Sequence, residues 1–191
     1  MSTLSQYAFT GEVFTATTTD PNVTAGTLTK HAGLYDLISD SNGYASDPEA
    51  MATPPDDATN IAQAITKNSY VYFQLDAKAG YVLNLSSITF NAARSGASTP
   101  RGYGVLTSVD SYAASIGNAD LATQRTTWTA VNISLTGAAF QGLSTITFRI
   151  YVYGPYQGTY VDLDDITISG VAATTGIAIP VILNQFRQRR S

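Results

Sequence analysis

Asp162 and Asp164 stand two residues apart in the segment VDLDDITIS, and strand spacing puts both carboxylates on one face. With Asp165 beside them, such a pair could serve as general acid and base or take a calcium ion through its oxygens. The competing reading is a solvated strand edge that carries a bulge. A second oxygen-rich set, Asp40, Asn42, Asp47 and Glu49, could also hold calcium but lacks the full spacing of a recognised calcium loop. His31 is the single histidine and cysteine is absent, so a nucleophilic triad or a nitrogen and sulfur metal site would rest on one unsupported residue. A binding surface is the other possibility. Tyr70, Tyr72, Tyr151 and Tyr153 share the wet parity of two strands with Arg149 and could form an aromatic platform for stacking a sugar ring. Tyrosine is also a good strand former at half-exposed sites, and such a face can equally be covered by another subunit. The expectation is a protein without catalytic residues or a cofactor, with Asp162 and Asp164 as its calcium candidates.

These residues need strands to position them. In residues 69–94, SYVYFQLDAKAGYVLNLSSITFNAAR, Val71, Phe73, Leu75 and Ala77 alternate with Tyr70, Tyr72, Gln74 and Asp76, the period of a strand with one buried face. Ala79-Gly80 supplies a turn. Leu83 and Leu85 then share one parity and Ile88, Phe90 and Ala92 the other, which predicts a bulge or bend at Ser86-Ser87. The same slip recurs at Asp164-Asp165 within residues 160–170. Ile146, Phe148, Ile150 and Val152 alternate against Thr145, Thr147, Arg149, Tyr151 and Tyr153, as a central strand would. Further strands are expected over 7–14, 24–30, 103–107 and 129–135, a surface excursion over 33–55, and a short helix over 57–67 capped by Asp57 or Thr59 and closing one end of the molecule. The fold class expected is all-β: an antiparallel two-sheet, jelly-roll-like β-sandwich over residues 1–170 and an extended C-terminal arm over 171–191. Phe73, Leu75, Leu83, Leu85, Val131, Ile146, Phe148 and Ile150 should form one core.

Composition bounds the partners. The chain is 44% hydrophobic and 13% charged, ordinary for a folded domain, and its formal charge of −4 argues against a nucleic-acid binder. No apolar run is long enough to span a bilayer. The first residues, MSTLSQYAFTGEVF, have neither a basic lead nor an apolar run of signal-peptide length, from which assembly in the cytoplasm is expected.

The order of SYVYFQLDAKAGYVLNLSSITFNAARS, YGVLTSVDSY, a tryptophan with alternating apolar residues (Trp128 onward), ITFRIYVYGP and VDLDDITISG resembles the jelly-roll domain of PEP-CTERM, exosortase-sorted bacterial surface proteins. The resemblance spans about residues 5–170. It implies a sandwich related in shape to carbohydrate-binding modules, here without the signal peptide and with the anchor shortened to IAIPVIL.

In that last segment Ile177, Ile179, Val181 and Leu183 alternate as an extended arm would, and Phe186, Arg187, Arg189 and Arg190 follow with three of the ten basic residues. Such an arm should dock on a neighbour, through its apolar residues and against acidic groups. The first expectation is thus a virion structural protein, a capsid decoration (cement) protein of a bacterial virus, assembled in the host cytoplasm as a homo-oligomer, a trimer by preference, and held on the shell by its arm. The alternative is an extracellular or cell-surface carbohydrate-binding module with a glycan partner.

Overall fold

The computed structural model describes residues 2–40, 49–94, 96–121 and 128–175. Its strands in chain order are β1 (Ser2–Tyr7), β2 (Thr18–Thr19), β3 (Val23–Ala25), β4 (Thr29–Lys30), β5 (Asp36–Asp40), β6 (Glu49–Thr53), β7 (Tyr70–Ala77), β8 (Tyr81–Arg94), β9 (Gly102–Thr107), β10 (Gly117–Asp120), β11 (Thr129–Ser134), β12 (Thr145–Tyr153) and β13 (Val161–Thr174). One helix, α1 (Ile61–Lys67), precedes β7. The strands form two antiparallel sheets: a seven-stranded sheet ordered β11-β8-β13-β1-β2, with β6 on β13 and β5 on β6, and a six-stranded sheet ordered β10-β9-β12-β7-β3, with β4 also on β7. The chain is therefore a two-sheet β-sandwich, as its alternation predicts.

The turn at Lys78–Gly80 carries the chain from β7 in one sheet to β8 in the other, with Gly80 at φ 86°, a conformation open to glycine at little cost. Phe73, Leu75, Leu83, Leu85, Val131, Ile146, Phe148 and Ile150 all lie in one buried cluster between the sheets. Its centre is aromatic: the Phe73 and Phe148 rings stack at 5.3 Å and Tyr7 lies 4.9 Å from Phe73.

Both parity slips are bulges inside the seven-stranded sheet. Ser87 faces Ser169 and Leu85 faces Gly170, which leaves Ser86 as an extra residue of β8. On β13, Asp164 faces Asn91 and Thr167 faces Thr89, so Asp165 and Ile166 together oppose Phe90 alone.

Several boundaries differ from expectation, each because a tertiary partner outweighs local composition. β1 ends at Tyr7, and residues 24–30 divide into β3 and β4, both paired to β7. The excursion over 33–55 contains β5 and β6, strands poor in strand-forming residues, of which β6 is held by β13 and β5 by β6. Helix α1 is capped by Asn60, which accepts from the Gln63 N–H at 3.0 Å, and it lies on the outer face of the six-stranded sheet rather than at an end. β13 runs to Thr174, four residues beyond the expected end, because it stays paired to β8 as far as Tyr81. Among the described residues no helix is long and apolar enough to cross a membrane.

Candidate functional site

The tyrosines expected on a wet face are covered. Tyr70, Tyr151 and Tyr153 are 5%, 2% and 4% exposed, packed with Ala64 and Leu106, with Ile61 and Tyr112 against them. Parity placed them on the outer face of their sheet, but helix α1 lies on that face and removes it from water. Gly104 makes the approach possible: a Cβ there would stand 2.2 Å from Ile61 Cδ1. Tyr72, at 36%, is the one ring of the four that stays exposed. Arg149 is inserted between two rings, its guanidinium carbon 3.5 Å from the centre of Tyr112 and 4.6 Å from that of Tyr70. His31 also stacks on Tyr70, at 4.6 Å, and its Nδ1 accepts the Gly33 N–H at 3.0 Å. Burial pushes the Tyr70 phenol above its ordinary range, against the charge of Arg149. Ala64 and Ile61 of the helix pack against the tyrosines of this group. The group offers no open platform.

Asp162 and Asp164 do share a face, as their spacing predicts, but they lie within the seven-stranded sheet rather than on a solvated edge. Asp162 faces Ala93 on β8 and Met51 on β6, and is fully buried. Its charge acts on Arg101, whose guanidinium burial pulls below the ordinary value, and Arg101 donates to the Tyr160 carbonyl at 3.2 Å. Asp164, 9% exposed, accepts the Asp165 N–H at 2.7 Å. Among the described residues no group of three or more histidine or acidic side chains is arranged to hold a metal ion. Of the second calcium set, Asn42 and Asp47 lie outside the described residues, and Glu49 is buried at the start of β6. The arm residues Ile177, Ile179, Val181, Leu183, Phe186, Arg187, Arg189 and Arg190 also lie outside the described residues.

The residue that spacing singled out least is the one in the open. Asp165 sits at the β13 bulge with φ 51°, in the left-handed region that aspartate tolerates better than most residues. Its carboxylate accepts from Gln6 Nε2 at 3.3 Å, and Thr167 Oγ1 donates to its carbonyl at 3.2 Å. Together with the Asp164 bond to its N–H, these contacts hold the bulge on three sides. Asp165 lies in an open groove of about 380 Å³ on the outer face of the seven-stranded sheet, which crosses β11, β8, β13 and β1. Asn132, Thr89, Thr167 and Gln6 form one row across it by register, and Ala130 and Asn91 the next. Phe90 and Val131 are buried on the core side, so they reach the groove through their backbone, and the small Ala130 keeps its floor low. The lining thus has two side-chain amides from asparagine, one from glutamine, two hydroxyls and one carboxylate, and no basic group. Such a set both donates and accepts hydrogen bonds, with acceptors in excess, and carries no nucleophile paired with a base.

Only the bulge signal in the sequence pointed here. The polar residues Gln6, Thr89 with Asn91, and Asn132 come from three separated stretches, and nothing local marks them as neighbours.

No family model matches the chain, and no curated protein does so. The fold is similar to solved β-sandwiches. The K3 adhesin domain of Lys-gingipain from Porphyromonas gingivalis is 13% identical, with a TM-score of 0.50 over 88% of this chain and 99% of that one. The CBM22-1 xylan-binding domain from Paenibacillus barcinonensis is 12% identical, with a TM-score of 0.50 over 91% of this chain and 97% of that one. A protein of Bacteroides thetaiotaomicron to which sugar binding is attributed is 14% identical, with a TM-score of 0.53 over 89% of this chain and 100% of that one. The likeness is one of fold, that of carbohydrate-binding and adhesin β-sandwich domains.

Proposed function

We propose that the protein is a non-catalytic carbohydrate-binding β-sandwich module that works outside the cell or at its surface and takes a glycan in the groove on its seven-stranded sheet. The observation that carries this reading is the bulge-mounted Asp165, tied to Gln6 and facing amides and hydroxyls from three other strands. Sugar hydroxyls both donate and accept, so they are best matched by side chains that do the same, and a carboxylate can accept from two neighbouring hydroxyls at once. Strands spaced about 4.8 Å apart hold these groups at fixed intervals before the ligand arrives, which spares the cost of ordering them. The fold likeness supports the same class. A virion decoration role rested on the arm, which lies outside the described residues, and the similar folds favour the binding module.

The test is affinity electrophoresis of the full chain against a panel of soluble polysaccharides, followed by calorimetry on the best ligand. Asn91→Ala, Asn132→Ala and Gln6→Ala should each weaken binding about tenfold, the worth of one or two hydrogen bonds, while the melting temperature stays close to that of the parent. Absence of any polysaccharide ligand would sink the reading. So would binding that survives all three changes and disappears with Tyr72→Ala, which would move the site to the opposite sheet.

A further inference from the structure

Resting on that glycan-binding reading, we infer that the groove selects uncharged polysaccharide and rejects chains that carry carboxylates, with Asp165 as the residue that sets the selection. Nine residues line the groove: Asp165 is its one charged group, and no lysine or arginine is among them. The carboxylate is exposed, and the backbone that carries it is fixed by neighbouring side chains. Its backbone N–H is held by Asp164, its carbonyl by Thr167 and its carboxylate by the Gln6 amide. The whole chain carries a formal charge of −4, the same sign as Asp165. A uronate bound across these strands would bring its own carboxylate beside that of Asp165. Like charges brought together there repel, and no cation in the lining relieves the repulsion. A neutral sugar meets the opposite situation, because Asp165 accepts from its hydroxyls while Gln6, Asn91 and Asn132 satisfy the rest.

The strained backbone at Asp165 gives this assignment a second support. A non-glycine residue at φ 51° inside a central strand costs stability, and the bulge turns a side chain that regular pairing would send elsewhere into the groove.

The experiment pairs polysaccharides of one backbone: polygalacturonate against its carboxyl-reduced form, and glucuronoxylan against unsubstituted xylan. Titration calorimetry of the full chain at low salt should give at least about tenfold tighter binding to the neutral member of whichever pair binds, and the gap should shrink when salt is raised. Asp165→Asn keeps the shape and the tolerance for the left-handed backbone, and it should narrow the gap mainly by improving the acidic ligand. Equal or tighter binding of the acidic member by the parent protein would overturn the selection while leaving the glycan reading intact. A gap unchanged in Asp165→Asn, with the variant shown to be folded by its melt, would overturn the role of Asp165. Binding to neither member of either pair, nor to any chain in the wider panel, would remove both.

Discussion

At the scale of single residues, the molecule uses its polar and aromatic side chains in two ways. Some are sealed, and their ionisation is tied to folding. Tyr7 is fully buried, and its hydroxyl donates to the Gly26 carbonyl at 2.6 Å. Burial pushes its phenol from an ordinary 10.0 up to about 12, with the Ser5 hydroxyl pulling weakly the other way. The folded value lies above the unfolded one, so the stabilisation from the neutral phenol is complete below pH 10 and is lost as pH rises towards 12. It amounts to about 2 to 3 kcal/mol. Urea unfolding at stepped alkaline pH should show this decline, and Tyr7→Phe, which cannot ionise there, should show a shallower one; parallel slopes would refute the assignment. Phe148 makes the apolar counterpart. It is fully buried and stacked on Phe73, so Phe148→Ala should cost about 3 to 5 kcal/mol through lost burial and an unfilled cavity. A loss below about 1 kcal/mol by denaturant unfolding would mean the core can collapse around the gap.

At the scale of elements, helix α1 and the β13 bulge decide which faces meet water. The helix has seven residues, too few to persist alone, so its stability must come from packing. That packing depends on the absence of a side chain at Gly104 on β9, where Ile61 fills the space. Gly104→Ala should force Ile61 out and cost about 1 to 2 kcal/mol, with exposure of the Tyr70 and Tyr151 rings. Ile61→Ala added to it should recover much of that loss, because the second change removes the clash that the first creates. Thermal melts of the two single variants and the double variant measure this; strict additivity would show that the helix sits elsewhere. Asp164 belongs to this scale too. It is nearly buried and serves the bulge by accepting the Asp165 N–H, so Asp164→Ala should loosen the bulge and weaken glycan binding without touching ligand.

At the scale of the whole molecule, the question is where the sandwich ends. β13 completes its pairing at Thr174 opposite Tyr81, and the Thr175 N–H donates to the Gly80 carbonyl at 2.8 Å, closing the ladder at the turn between the sheets. A chain truncated after Thr175 should therefore melt within a few degrees of the full chain and bind the same polysaccharides with unchanged affinity. Loss of the fold would make residues 176–191 part of the core, and loss of binding alone would make them part of the site. Co-sedimentation with assembled viral shells, present in the full chain and absent after truncation, would revive the decoration reading at the expense of the groove.

The sequence by itself determined what depends on local period. Alternation in residues 70–77 and 145–153 specified strands, the common apolar parity specified one core, and the slips at Ser86-Ser87 and Asp164-Asp165 marked where the ladder is irregular, a bulge or bend at the first and a bulge at the second, because a one-residue insertion flips every following side chain. Only the tertiary structure decided what covers each outer face. Parity separates the two sides of a sheet but carries no information about what packs against them, so the tyrosines around Arg149 read as an open platform when α1 and Tyr112 in fact enclose them. The groove was hidden for the complementary reason. Gln6, Asn91, Asn132 and Asp165 are unremarkable one at a time, and they line one groove only when pairing of β1, β13, β8 and β11 brings them together, with Gln6 and Asp165 hydrogen-bonded across 159 positions.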